Sequence, residues 1–184
     1  KRELPTATHL KLALNWRNAK LSPGTAKTMA EGIPSGGKVR LAGKIVTVPP
    51  AWKLETFPFS ETESLLAVTI PWGDVATAFH STGIPNIEVY VAVSKKQIRQ
   101  MKMPAALRWL IGLKPLQAII QTQIGKRVKG PDPGERARGE VQIYGEASDD
   151  AGNRKVLRLY TVEGYTLTAE SAVKAAMMVA AGAV

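Results

Sequence analysis

A chain of 184 residues with 45% hydrophobic and 22% charged side chains is long and apolar enough to bury one sizeable core, which excludes global disorder. With no cysteine and only two histidines it has no disulfide, no thiolate nucleophile and no multi-histidine metal site, so no metal is expected. Its formal net charge of +10 calls for an anionic partner or a solvated basic face.

In chain order, Thr8 to Arg17 alternates apolar and polar side chains with a period of two, as a strand with one polar face does. Ser22-Pro23-Gly24-Thr25 has the composition of a helix start, with serine at the N-cap and proline at N1, and Gly32 closes the helix. Val39–Leu41 and Ile45–Val48 flank Ala42-Gly43-Lys44 as a hairpin. The aromatic stretch from Trp52 to Phe59 fits an edge strand or a packed loop, and Leu65 to Ile70, apolar on both faces, reads as an interior strand.

The most informative run follows. Pro71-Trp72-Gly73-Asp74 opens a short helix, Gly83 and Pro85 end it, and Ile87 to Val93 alternates as a half-buried strand. Lys95 to Val128 is helical by period and is broken into three pieces by Pro104 and Pro115. Lys129 to Gly139 is rich in proline and glycine and reads as a loop or mobile lid. Glu140–Ala147 and Arg154–Val162 form a second hairpin, and Thr168 caps a last helix with Glu170 in its first turn. About six strands with interspersed helices predict an α+β fold: a mixed, largely antiparallel sheet with helices mainly on one face.

Five stretches, in order, carry a family resemblance: Ser22-Pro-Gly-Thr-Ala26, Pro71-Trp-Gly-Asp-Val75, Ser81-Thr-Gly-Ile-Pro-Asn-Ile87, Tyr144-Gly-Glu-Ala147 and Gly164-Tyr-Thr-Leu-Thr168. Together they resemble the saccharopine dehydrogenase-like family of NAD(P)-dependent oxidoreductases. The resemblance implies a second domain of mixed sheet and helices that forms the substrate side and often a homodimer contact. In that family a Rossmann domain precedes the region seen here and carries the NAD(P). No G-x-G-x-x-G follows any strand of this chain. The chain starts without methionine and runs into an apolar helix at Ala172–Val184. It is therefore expected to be a single domain, 1–184, from a larger two-domain enzyme. It would be inactive alone, bind no cofactor itself, and rely on the N-terminal Rossmann domain as its partner.

Hydride transfer is the cofactor's chemistry, and a substrate domain supplies orientation, exclusion of water and a proton donor. The expected catalytic groups are Asp74, as base or amine holder, and His80, which titrates near neutral pH as a general acid should. An acid in a first turn and a histidine in a last turn are equally explained by the helix dipole. Ser22, Thr25, Trp72, Ser81, Thr82 and Asn86 are the expected substrate-binding residues for a small molecule, with hydroxyls for a carboxylate or carbonyl and Trp72 as an apolar wall. Tyr144, Arg158 and Tyr165 read as core or sheet-face residues.

Lys95 to Arg138 holds eleven basic residues against Asp132 and Glu135. Nucleic acid is not the expected partner, because stacking aromatics do not interleave with these charges. A solvated face, a nucleotide's phosphates or an anionic membrane surface each fit. The second reading is thus a non-catalytic membrane-surface or assembly module using residues 95–128. Without a signal peptide or 18 consecutive apolar residues, the expected compartment is the cytoplasm.

Overall fold

The structure is a computed structural model and describes residues 1–183. Its elements in chain order are β1 (His9–Arg17), α1 (Pro23–Gly32), a 3-10 turn (Ile33–Ser35), β2 (Gly37–Leu41), β3 (Lys44–Val48), β4 (Leu54–Pro58), β5 (Ser64–Thr69), α2 (Asp74–Thr82) and β6 (Asn86–Ala92). Then come α3 (Lys95–Met101), α4 (Ala105–Ile111), α5 (Lys114–Arg127), α6 (Pro133–Arg138), β7 (Glu140–Ser148), β8 (Arg154–Val162) and α7 (Gly164–Ala180). Eight strands form one mixed sheet, two more than the expected six or so, and Leu54–Pro58 resolves as a strand rather than a loop. Only β1 and β6 run parallel; every other pairing is antiparallel.

β6 is the hub. One of its edges pairs with β1, and the other is shared, with β2 at Arg40↔Ile87 and β5 along Ala67–Thr69. The alternation at 87–93 reads as a half-buried strand, yet Ile87, Glu88, Val89 and Tyr90 are all buried. The polar-looking side of the pattern is covered by another strand, which a period of two cannot reveal.

That cover is β4. It lies beyond β5, and its Phe57 ring packs 4.8 Å from Tyr90 and 5.3 Å from Tyr144, centroid to centroid. At the far side, Arg158 Nε donates to Pro58 O and Tyr160 Oη to Phe59 O, each at 2.7 Å. The sheet therefore curls toward closure around an inner face without a β4–β8 ladder. Side chains cross this face in rows set by register. Glu88, Lys11 and Glu146 form one row, Tyr90, Ala13 and Tyr144 the next. Fully buried Ala13 leaves room between the two tyrosines, where Phe57 enters. Lys11 reaches the partly exposed Glu55 at 2.7 Å, and Lys53 reaches Glu88 at 2.5 Å, so the buried Glu88 carboxylate is paired, as a charge leaving water must be.

The outer face carries Leu12, Leu14, Val89 and Val91, onto which Val75 of α2 and Met101 at the end of α3 pack. Arg40, 7% exposed, pins α2 to the β2–β3 turn. Its Nε donates to Val75 O, its Nη1 donates to Gly43 O, and its guanidinium lies 4.2 Å from the Phe79 ring centroid. The turn itself has positive φ at Ala42 and Gly43, the pairing that a two-residue hairpin needs.

Three element ends differ from the sequence expectation. Residues 133–138 are helical rather than loop, because Asp132 and Glu135 cap each other's backbone in a capping box. The helix after Pro71 starts only at Asp74, with Gly73 at its N-cap. α7 starts at Gly164, four residues before Thr168, since the Glu163 carboxylate takes the first free N–H groups; Thr168 instead donates to Gly164 O inside the helix.

Candidate functional site

The C-terminal end of β1 is where separate parts of the chain converge. Ser22 caps α1 by accepting the Thr25 N–H at 3.1 Å, and its Oγ lies 3.0 Å from Thr25 Oγ1. Tyr165, in the first turn of α7, reaches across to this cap. Its Oη accepts the Ser22 backbone N–H at 2.6 Å and lies 3.0 Å from Thr25 Oγ1. The result is a chain of three hydroxyls, Ser22–Thr25–Tyr165, at the positive end of a ten-residue helix. Burial pushes the Tyr165 phenol up, but the hydrogen bonds from Ser22 and Thr25 together outweigh it and hold the group below the usual phenol range.

Tyr165 is placed by Glu163. That residue is 3% exposed, and its carboxylate accepts the N–H of Tyr165 and the N–H and hydroxyl of Thr166. Burial opposes its charge; the Thr166 hydroxyl, the two N–H groups and Arg136 more than compensate, so its carboxyl stays below the usual range. Gly139 makes room for it, since a β-carbon there would stand 2.7 Å from Glu163 Cβ.

Trp16 joins this cluster to the Pro71–Val75 stretch. Its indole Nε1 lies 3.8 Å from where a β-carbon on Gly164 would be, and its ring sits 5.5 Å from that of Trp72. Ser22, Thr25 and Trp72 thus gather around the end of β1, with Asp74 two residues on, half-buried and in no salt bridge among the described residues.

The other candidates lie at the opposite end of α2 and are held by local bonds. Thr82 Oγ1 donates to Ala78 O and accepts the Ile84 N–H, and Ser81 Oγ donates back to Thr77 O and Ala78 O. Asn86 ties two elements: its Oδ1 accepts the Ala42 N–H and its Nδ2 donates to Thr8 O, each at 2.9 Å. His80 is exposed and meets the Phe79 ring edge-on at 6.0 Å. Six helical positions separate Asp74 from His80, about 9 Å along the axis and on different sides of the helix, so the two do not share a proton.

Tyr165, Trp16 and Glu163 are the residues that sequence reasoning passed over. Tyr165 lies within one of the five ordered stretches but reads as strand-flanking; its signal is the helix start at Glu163-Gly164, masked by the more familiar cap composition at Thr168.

The β1–α1 connection, Asn18 to Ser22, contains no glycine, and the β5–α2 connection contains only Gly73, so neither of these two turns carries a G-x-G-x-x-G run. Among the described residues no three histidine, aspartate or glutamate side chains are grouped to hold a metal ion.

No family model matches the chain. No curated protein matches it either. Among solved structures it is similar to apo, histidine-tagged saccharopine dehydrogenase (L-Glu forming) from Saccharomyces cerevisiae, at 10% identity and a TM-score of 0.42, over 87% of this chain and 55% of that one. The chain thus spans about half the length of that structure.

Proposed function

We propose that this chain is the substrate-side module of an NAD(P)-dependent oxidoreductase resembling saccharopine dehydrogenase, with a small-molecule substrate bound at the end of β1. The observation that supports it most is convergence: two of the ordered stretches, 22–26 and 164–168, meet in the Ser22–Thr25–Tyr165 hydroxyl chain, and a third, 71–75, reaches the same place through Trp16. Nothing in simple packing requires three distant polar or aromatic stretches to share one end of one strand.

In this reading a nicotinamide carried by a separate Rossmann domain supplies the hydride. Tyr165 anchors a carbonyl oxygen and supplies its proton, and Thr25 and Ser22 carry a replacement proton to the phenol along hydrogen bonds of 3.0 Å. Trp16 and Trp72 form the apolar wall, and Asp74 holds a polar or cationic group at its edge. The proton-donor role falls to Tyr165 rather than His80, which lies at the far end of α2. The exposed apolar residues Leu157 and Leu159 of β8 and Val173 and Met177 of α7 are the surfaces available to a second copy, in keeping with a homodimer.

Hydrogen exchange on the full-length protein with and without NADPH tests the reading. Amides in 22–25 and 164–168 should slow together when the nucleotide binds, and unchanged exchange in both segments would sink it. Once turnover is found, Tyr165→Phe should lower kcat by roughly 10²-fold or more with little change in KM, the size expected of a lost proton donor.

A further inference from the structure

Between residues 95 and 131 there are nine lysines and arginines and no aspartate or glutamate. Lys95, Lys96, Arg99 and Lys102 around α3, and Lys114 after α4, are exposed and form no salt bridge among the described residues. α4 between them is inverted relative to a core helix. Trp109 is 68% exposed, and Leu107, Leu110 and Leu113 are exposed with it. At 100° per residue, Ala106, Leu107, Trp109 and Leu110 occupy one outward arc. Arg108 points the other way. It lines a cavity of about 340 Å³ with Pro34, Ala105, Trp109, Gly112 and Leu113, and its Nε is buried without a hydrogen-bond partner.

A row of unpaired cations around an outward arc of tryptophan and leucine matches the two demands of an anionic bilayer surface. Phosphates and carboxylates meet the charge, and the acyl boundary meets the apolar arc, with tryptophan at the depth it favours. No helix among the described residues is long and apolar enough to cross a membrane, so the contact is one of lying on the surface. We propose that α4, flanked by the lysines and arginine of 95–102 and by Lys114, docks on anionic phospholipid, and that the Arg108 cavity takes a lipid phosphate. The orphaned Nε supports the second part, because a buried charged donor without an acceptor is costly and a headgroup phosphate supplies one. This inference is independent of the oxidoreductase reading and uses none of its residues.

The test is co-flotation of the 184-residue chain with phosphatidylcholine vesicles, with and without phosphatidylserine, at low and high salt. The chain should float with the anionic vesicles only, and salt should release it as screening shortens the reach of the charges. W109S/L110S, at exposed positions that leave the fold intact, should lower the partition coefficient at least ten-fold. K95E/K96E/K102E should do the same without touching the apolar arc. No flotation at low salt, equal flotation with neutral vesicles, or wild-type behaviour of either variant overturns the docking face; an acidic protein as the true partner would give the first of these. R108Q should weaken binding more than K96Q, which removes the same charge from the open surface. Equal losses overturn the assignment of the cavity to a phosphate.

Discussion

Two regions hold tyrosine hydroxyls away from water, and they treat the proton in opposite ways. On the inner face of the curled sheet, burial and then the Glu146 carboxylate push Tyr144 up to about 12. Tyr90 is driven above the usual range by burial first and then by Glu88 and Glu55. Where α1 meets α7, burial acts on Tyr165 in the same sense, but the oxygen faces an N–H and a hydroxyl at a helix N-terminus, and the outcome is reversed. The comparison teaches that loss of solvent raises all three phenols, and that the character of the hydrogen-bond partners, carboxylates on the sheet and donors at the junction, decides whether that rise is added to or reversed. The inner face holds its phenol protons more tightly than the helix junction does.

The largest expected effect tests the scaffold half. Phe57→Ala removes the ring that separates Tyr90 from Tyr144 and should cost about 3–5 kcal/mol in denaturant unfolding, whereas truncations at the junction should cost much less. Alkaline titration followed by phenolate absorbance comes next. Tyr165 should ionise first, Tyr144 near 12 and Tyr90 last. Reversal of that order would dissolve the contrast.

Stability should follow the same logic. A phenol held above its ordinary value of 10 stabilises the fold below that pH and stops doing so as pH rises through its folded value, so the Tyr144 contribution is lost between pH 10 and about 12. Tyr165, held low, contributes in the other direction: its stabilisation is complete above 10 and is lost as pH falls through its folded value. Tyr144→Phe should flatten the alkaline loss of stability in thermal unfolding scans. Thr25→Val should cost about 1 kcal/mol and move the first ionisation upward, because one of the hydrogen bonds to Tyr165 disappears. His80→Ala, at an exposed helix end, should change unfolding stability by no more than about 0.5 kcal/mol.

Much of this was legible in the sequence where a local rule decides. The Ser22-Pro23 start, the Gly83 cap and both hairpins fall where capping and turn chemistry place them. Legibility failed where a distant segment overrides a local pattern. The polar side of Glu88 and Tyr90 looked exposed because nothing local announces that β4 folds over it. The helix at 133–138 hid behind two prolines and three glycines, although Asp132 and Glu135 have the spacing of a capping box. Ser22 and Thr25 were readable as a helix start with free hydroxyls. Their partner was not, since no pattern in one sequence connects position 25 to position 165.

Gly139 is a case of a residue constrained for a reason other than its own conformation. Its backbone, at φ −78° and ψ 144°, suits any amino acid. A methyl at that point would nonetheless collide with Glu163, the residue that accepts the Tyr165 N–H. In a saturation scan, position 139 should therefore reject alanine as firmly as it rejects valine, while Gly73, with open space around it and no strained backbone, accepts both. A position of ordinary backbone geometry would still govern where the Tyr165 phenol stands.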